Sequence, residues 1–352
     1  MLEWIQKRAL RVAIVIFWVV VLLGTLRLSQ YAYFFKKPRT LYIATWPLLL
    51  DAKYLKAFEK EAGITLQISY FERSEELLAK VQATGGKGYD IIFPSDYTVA
   101  QLVKMDLLKE IDKSKLDFWD DIDTRFLSHY FDPENRYSMP FFWGVFGLGF
   151  NKKVYGDTPP ATLGLIFDPA YNPEHVVMSD NARESVLVAA QYLFGTVDAL
   201  KQEAAQQKVK ELLINQKQWV DIYTDERIDE LLSSENNPIA FGLSTDISRA
   251  VRENPEHIAF MIPKEGSFFI IDTIALPKGA NAELAYEFIN YMYRPEVVAH
   301  HIEKYNMLSP LRSTGCVSAV CPNDKMFNAL HLMRDVVSED VLNDIWIALL
   351  AD

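Results

Sequence analysis

Beyond residue 40, apolar and polar positions follow two alternating periods. Thr40 to Thr45 reads Thr-Leu-Tyr-Ile-Ala-Thr, a short buried strand that ends at Trp46-Pro47. Tyr54, Leu55 and Phe58 then fall at helical spacing with charges on the other face, and Gly63 stands where a C-terminal cap belongs. Ile64, Leu66, Ile68 and Tyr70 alternate with polar residues, as a half-buried strand does. The unit repeats. Ser74-Glu75-Glu76 opens a helix that Gly85-Gly86 closes, and Tyr89 to Phe93 is a strand running into Pro94-Ser95-Asp96-Tyr97. Strands alternating with helices predict an α/β fold with a mainly parallel sheet, whose ligands bind beyond the carboxyl ends of the strands. Trp46, Ser95 and Tyr97 stand at such ends.

Tyr137 to Asn151 is apolar, interrupted by glycine and without a helical charge pattern, which predicts an extended stretch leading into a second domain. Two domains are also what 352 residues suggest. Val176 to Met178 is a strand whose end, Ser179-Asp-Asn-Ala-Arg-Glu184, carries a helix-start signature. A charged helix near 198–214 follows, then a strand over Pro238–Phe241 and another over Phe268–Ala275. Asp272 interrupts the last. A carboxylate inside an apolar strand is costly unless it has a partner.

The first 39 residues differ. Lys7, Arg8 and Arg11 precede an uncharged run from Val12 to Leu26, a positive flank followed by a signal-peptide core or a short membrane helix. At about 1.5 Å per residue the run falls short of a hydrocarbon core about 30 Å thick. Arg11 and Arg27 can snorkel, however, and no good cleavage site or lipid-attachment cysteine follows. The expectation is a retained anchor through residues 12–26, with the remainder exported.

Composition narrows the classes. Half of the residues are hydrophobic and 13% aromatic, so a sizeable core can form. The net charge of -11 and the lack of a basic stripe argue against nucleic acid, and an acidic surface favours cationic solutes. Cys316 and Cys321 suit a local disulfide in an oxidising compartment. No second Cys or His pair stands at zinc-ligand spacing, so no metal is expected. Phosphate cradles, Gly-x-Ser-x-Gly, His-Glu-x-x-His and dinucleotide fingerprints are all missing. No cofactor or catalysis is expected. Carboxylates among rings suit capture of an ammonium or guanidinium, each ring contributing roughly 0.5 to 2 kcal/mol. The same residues have a plainer reading: Trp46 and Tyr97 as core packing, and Glu184 paired with a nearby base.

Four segments come in order: Tyr89-Asp-Ile-Ile-Phe-Pro-Ser-Asp-Tyr97, Tyr137-Ser-Met-Pro-Phe-Phe-Trp-Gly144, Ser179-Asp-Asn-Ala-Arg-Glu184 and Pro263-Lys-Glu-Gly-Ser-Phe-Phe-Ile-Ile-Asp272. From about Thr40 to Pro310 the chain resembles the bacterial spermidine/putrescine-binding proteins of ABC importers. The resemblance implies a two-lobed periplasmic-binding-protein fold of type II, with a ligand cleft between the lobes. Residues 1–39 would be anchor and linker, 40–145 plus 273–316 lobe one, and 146–272 plus 317–352 lobe two. Trp46, Ser95 and Tyr97 would line one wall, Glu184 and Asp272 would bind ammonium groups, Phe241 would keep an aromatic position of the family facing the ligand, and Asn181 would complete the ligand-binding set. The departures are Leu49, Ile270 and Met307 where rings are expected, and Asn181 where the family has a second acid. They leave open a diamine, a guanidinium compound or another small cation. The partners implied are a polyamine, an ABC permease with its ATPase, and the inner membrane as tether, all in the periplasm. The rival is a tethered sensor using the same cleft, which would need a signalling partner.

Overall fold

The computed structural model describes residues 14, 16–22, 39–171, 173–234, 236–316, 320–334 and 336–351. The predicted anchor over 12–26 falls partly outside them; residues 14 and 16–22 are helical and exposed. Among the described residues no helix is long and apolar enough to cross a membrane.

The first unit follows the expected order: β1 (Arg39–Thr45), α1 (Ala52–Ala62), β2 (Ile64–Tyr70), α2 (Ser74–Ala83), β3 (Ile91–Ile92) and α3 (Asp96–Lys104). Gly63 ends α1 in the left-handed region at φ 63°, where a residue without Cβ costs nothing. β4 (Ser138–Asn151) is the extended apolar stretch, buried along its full length. Beyond it come β5 (Val176–Met178), α4 (Ala182–Phe194), α5 (Glu203–Gln216), β6 (Val220–Tyr223), α6 (Ile228–Ser233), β7 (Ile239–Leu243), α7 (Ser244–Glu253), β8 (Ile258–Met261) and β9 (Ser267–Ala275). α8 (Ala282–Met292), α9 (Pro295–Tyr305), β10 (Leu330–Leu332) and α10 (Glu339–Ala351) complete the helices of more than one turn and the strands.

The strands lie in the order β2-β1-β3-β9-β4-β7-β5-β6, with β10 on β9 and β8 on β4. A mainly parallel sheet was expected, and the sheet is mixed. β1, β2 and β3 are parallel, as are β5, β6 and β7, but β4 and β9 run antiparallel to each other and to their other neighbours β3 and β7. The reason is length. β4 pairs with β9 from Ser138 to Val145, then exchanges that partner for β8 from Leu148 onward, while β7 takes its other edge from Phe146. Gly147 stands at the exchange, where an added Cβ would meet the Phe260 ring and lie 2.6 Å from the Met261 carbonyl.

Each end of the sheet has its own core. One gathers Leu41, Phe58, Phe93, Phe142, Ile274, Phe288 and Leu311, the other Phe146, Val176, Leu187, Phe241, Phe268 and Leu349. A third cluster lies along the crossing itself, with Trp143, Val145, Phe269 and Ile271. Phe327 of the C-terminal tail packs into it, 5.6 Å from Trp143 and 5.4 Å from Phe269 between ring centres. Upstream of that ring, Cys316 and Cys321 form a disulfide.

Asp51 fastens the start of α1 to α9. Its carboxylate caps the Lys53 N–H at 2.7 Å and accepts from Lys304 (2.7 Å), His300 (3.0 Å) and the Tyr305 hydroxyl (2.9 Å). Burial pushes this carboxyl up, but the hydrogen bonds from Lys304, His300, the Lys53 amide and Tyr305 outweigh it and hold it well below the usual range. A depressed folded-state value stabilises the protein above the unfolded value of about 3.9, and that gain fades as pH falls through the folded one. Asp51→Ala should therefore cost about 2–4 kcal/mol in urea unfolding at pH 7. The gap from the wild type should narrow below about pH 4.

Candidate functional site

Loops after parallel strands meet along the β4–β9 ribbon. On one side, Trp46 follows β1 and is half-buried, its ring 4.4 Å from Phe71 between centres. Its indole N–H is buried with no acceptor among the described residues. Ser95 precedes α3 and bridges through its backbone to Asp272 on β9. Its hydroxyl is occupied by Ser74 (3.0 Å) and Thr98 (2.9 Å). The Tyr97 hydroxyl donates to Ser74 at 2.9 Å, and burial pushes it up to about 12.

On the other side, Glu184 sits in the first turn of α4 and accepts from the Ser179 hydroxyl at 2.7 Å. The plainer reading of Glu184 as half of an ion pair does not hold, because the adjacent base looks elsewhere. Arg183 is buried, donates to Glu339 of α10 at 2.9 Å, and lays its guanidinium 4.6 Å from the centre of the Tyr97 ring. That contact brings the two sides together. It also covers a ring face that sequence reasoning reserved for the ligand.

Asn181 caps α4, its Oδ1 accepting from the Arg183 N–H at 3.0 Å. An acid at this position gives way to an equally good neutral cap. Phe241 is fully buried and stacks on Phe146 at 5.7 Å. The expectation that it faces ligand is corrected by the pleat: Ile239 and Phe241 point into one core, Ala240 into another, and Leu243 is the half-buried residue that reaches the strand end.

The electrostatics of the site come from acids crowded where water is scarce. Asp272, half-buried, is pushed up to about 7 by burial. Asp246 rises to about 7 through burial, with Asp229 and Asp272 adding repulsion. Glu184 also rises to about 7, through burial and then the charges of Asp246 and Asp180. Asp225 climbs to about 9 through burial, Glu184 and Asp180. Asp96, fully buried and accepting the Tyr97 N–H at 2.6 Å, rises to about 8 through burial and the charge of Asp272. Each acid is thus linked by repulsion to the next, from Asp180 to Asp96.

Sequence reasoning named Glu184 and Asp272 and missed Asp225 and Asp96. A signal was there. Ser95-Asp96, Ser179-Asp180, Thr224-Asp225 and Thr245-Asp246 are all hydroxyl–Asp pairs just beyond a strand. Among the described residues no His, Cys, Asp or Glu group is arranged to hold a metal ion. A separate cavity of about 420 Å³, lined by Tyr155, Tyr171, Glu174 and His175 among others, includes none of the predicted site residues.

Residues 53–314 match the bacterial extracellular solute-binding protein family. The chain belongs to that family. The spermidine/putrescine-binding periplasmic protein of Escherichia coli (strain K12) is 30% identical over 308 residues, 86% of each chain. The putrescine-binding periplasmic protein PotF of the same organism is 29% identical over 282 residues, 74% of this chain and 75% of its own. The solved structure of the spermidine/putrescine ABC transporter substrate-binding protein PotD from Streptococcus pneumoniae superposes with a TM-score of 0.75 at 25% identity, covering 89% of this chain and 99% of that one. The architecture is accordingly the mixed α/β fold of periplasmic binding proteins.

Acids raised in the folded state stabilise it fully below their unfolded values near 4 and lose that contribution as pH rises through the folded ones. Glu184, Asp246 and Asp272 at about 7 and Asp225 at about 9 set the window. The melting temperature of the empty protein should fall steadily between about pH 5 and 8. A flat profile there would mean that solvent screens these carboxylates.

Proposed function

We propose that this family member captures a polyamine or a related cationic solute between two lobes and delivers it to an ABC importer. The observation that carries this reading is the approach of the two sides, Arg183 beside Glu184 lying on the Tyr97 ring and Asp272 bridged to Ser95, with buried carboxyls raised on both. The names of the relatives, which bind spermidine and putrescine, support the same class of ligand. Glu184 and Asp272 take the ammonium groups. Trp46 offers a ring face and an indole N–H, Ser95 and Tyr97 stiffen that wall, and Asn181 and Phe241 back the other as cap and core.

The lobes are 40–145 plus 273–316 and 146–272 plus 317–352. What supports this division is the exchange of partners along β4 and the separate cores at the two ends of the sheet. We read the fold as type II, with the ligand cleft between these lobes. Closing of the lobes buries the ligand and creates the surface that the permease reads.

We also propose that residues 12–26 tether the protein to the inner membrane. The support is the basic flank and uncharged run of the sequence. Tethering keeps the binding protein concentrated beside its permease.

Calorimetric titration with putrescine, spermidine, cadaverine, agmatine and a neutral control tests the ligand class. One or more amines should bind saturably, and Asp272→Ala or Glu184→Ala should weaken them by about 2–5 kcal/mol. Absence of binding to every cation would overturn the reading while leaving the fold untouched. For the tether, carbonate-washed membranes should retain the full chain, and deletion of residues 1–39 from an otherwise exported protein should release it to the soluble fraction.

A further inference from the structure

Asn181 leaves the α4 side of the site one acid short, and the neighbouring strand makes up the difference. β5 and β6 are parallel, with Met178 opposite Tyr223, so the segments that follow them leave the sheet side by side. The Thr224 N–H holds the two together by donating to the Met178 carbonyl at 2.8 Å. Thr224 then turns the chain: its hydroxyl accepts from the Glu226 N–H at 3.0 Å. Asp225 sits at that turn, half-buried beside the Ser179-Asp180 segment, and burial with the charges of Glu184 and Asp180 pushes its carboxyl up to about 9. No base answers it from the turn itself, because Arg227 is engaged with Glu230.

We propose that Asp225 is a ligand-binding carboxylate, joining Glu184 on the α4 side of the cleft in place of the acid that Asn181 lacks, so that this side takes a cationic nitrogen of the solute. The proposal rests on the reading of the chain as a binder of cationic amines and sharpens it.

A carboxyl raised to about 9 by burial and by the charges of Glu184 and Asp180, as that of Asp225 is, keeps its proton at neutral pH. In the empty cleft that proton relieves the repulsion. An ammonium group brings its own donors and a full charge, so its arrival releases the proton to solvent and leaves the carboxylates accepting from N–H instead of O–H. The charged groups that act on Asp225 are Asp180 beyond β5 and Glu184 on α4, and Glu184 in turn feels Asp246 of α7, Asp180 and Arg183. Arg183 also engages Glu339 and the Tyr97 ring, which leaves this side net acidic.

The test is calorimetric titration of the full chain with putrescine at pH 7.5, in two buffers of different ionisation enthalpy, for the wild type, Asp225→Asn and Asp198→Asn. Asp198 is a surface control paired with Lys201 and Arg334. The wild type and the control should bind with net proton release. Asp225→Asn should bind about tenfold or more weakly and release fewer protons, while its empty form melts no lower than the wild type because a repelled charge has been removed. Unchanged affinity and proton release in Asp225→Asn would remove Asp225 from the site and leave the amine-binding reading intact. A lower melting temperature of the empty variant would show that its carboxyl holds the turn instead, and would overturn the assignment. A wild type that binds no amine would overturn the amine-binding reading, and this proposal with it.

Discussion

Everything in this molecule hangs on the pairing of β4 with β9. Around Trp143–Val145 and Phe269–Ile271 these two strands form the ribbon through which the two ends of the sheet are continuous, and each exchanges its outer partners on passing it. A mixed sheet follows. Two parallel sets, each built from short strands and helices, can sit on one ribbon only if long strands run from one to the other and carry their own antiparallel register. That geometry turns the carboxyl ends of β1 and β3 toward those of β5, β6 and β7, which is how Tyr97 comes to lie under Arg183. The tail adds a further crossing, with Phe327 wedged against both strands and β10 laid along the start of β9.

The site works against the stability of the fold that carries it. A chain selected only to fold would not gather Glu184, Asp225, Asp246, Asp272 and Asp96 in a region of low water content, since each ionised member penalises the next. The repulsion is tolerable because burial keeps carboxyls such as Asp225 and Asp96 protonated near neutral pH. Similar carboxylates elsewhere show the contrast. Asp51 is nearly as buried as Asp96, yet three side chains and a backbone amide satisfy it, and its role is to hold two helices together.

Much of the fold was legible because it rests on local periodicity. The alternation in Ile64–Tyr70, the helix start at Ser74 and the cap at Gly63 depend on near neighbours alone. β6 and β8 escaped notice, being four-residue strands whose burial comes from partners far along the chain. The antiparallel role of β4 was hidden for the same reason: fourteen apolar residues say that a strand is buried, not which strands bury it. At the site, Glu184 and Asp272 stood out by position, one in a helix start and one inside an apolar strand. Phe241 was misjudged because it lies two residues short of the strand end, inside the core, while Leu243 on the same face is the residue that reaches the end. Asp225 was missed because its neighbours Thr-Asp-Glu-Arg read as an ordinary polar loop until parallel pairing sets them beside Ser179-Asp180.

The segment from Trp46 to Leu50 is framed at both ends by elements that do not depend on its own side chains. β1 fixes its entry, and Asp51, clamped by α9, fixes its exit. Within the frame, Leu48 is 72% exposed at a φ of 62°, a left-handed conformation that its branched side chain does not favour. The frame holds that turn, and not the turn the frame. Such a segment is a place where ancestry can experiment within limits: Leu49 is anchored in the core, whereas Pro47 and Leu48 are exposed, so lineages built on one scaffold can rewrite those two positions at little cost to folding.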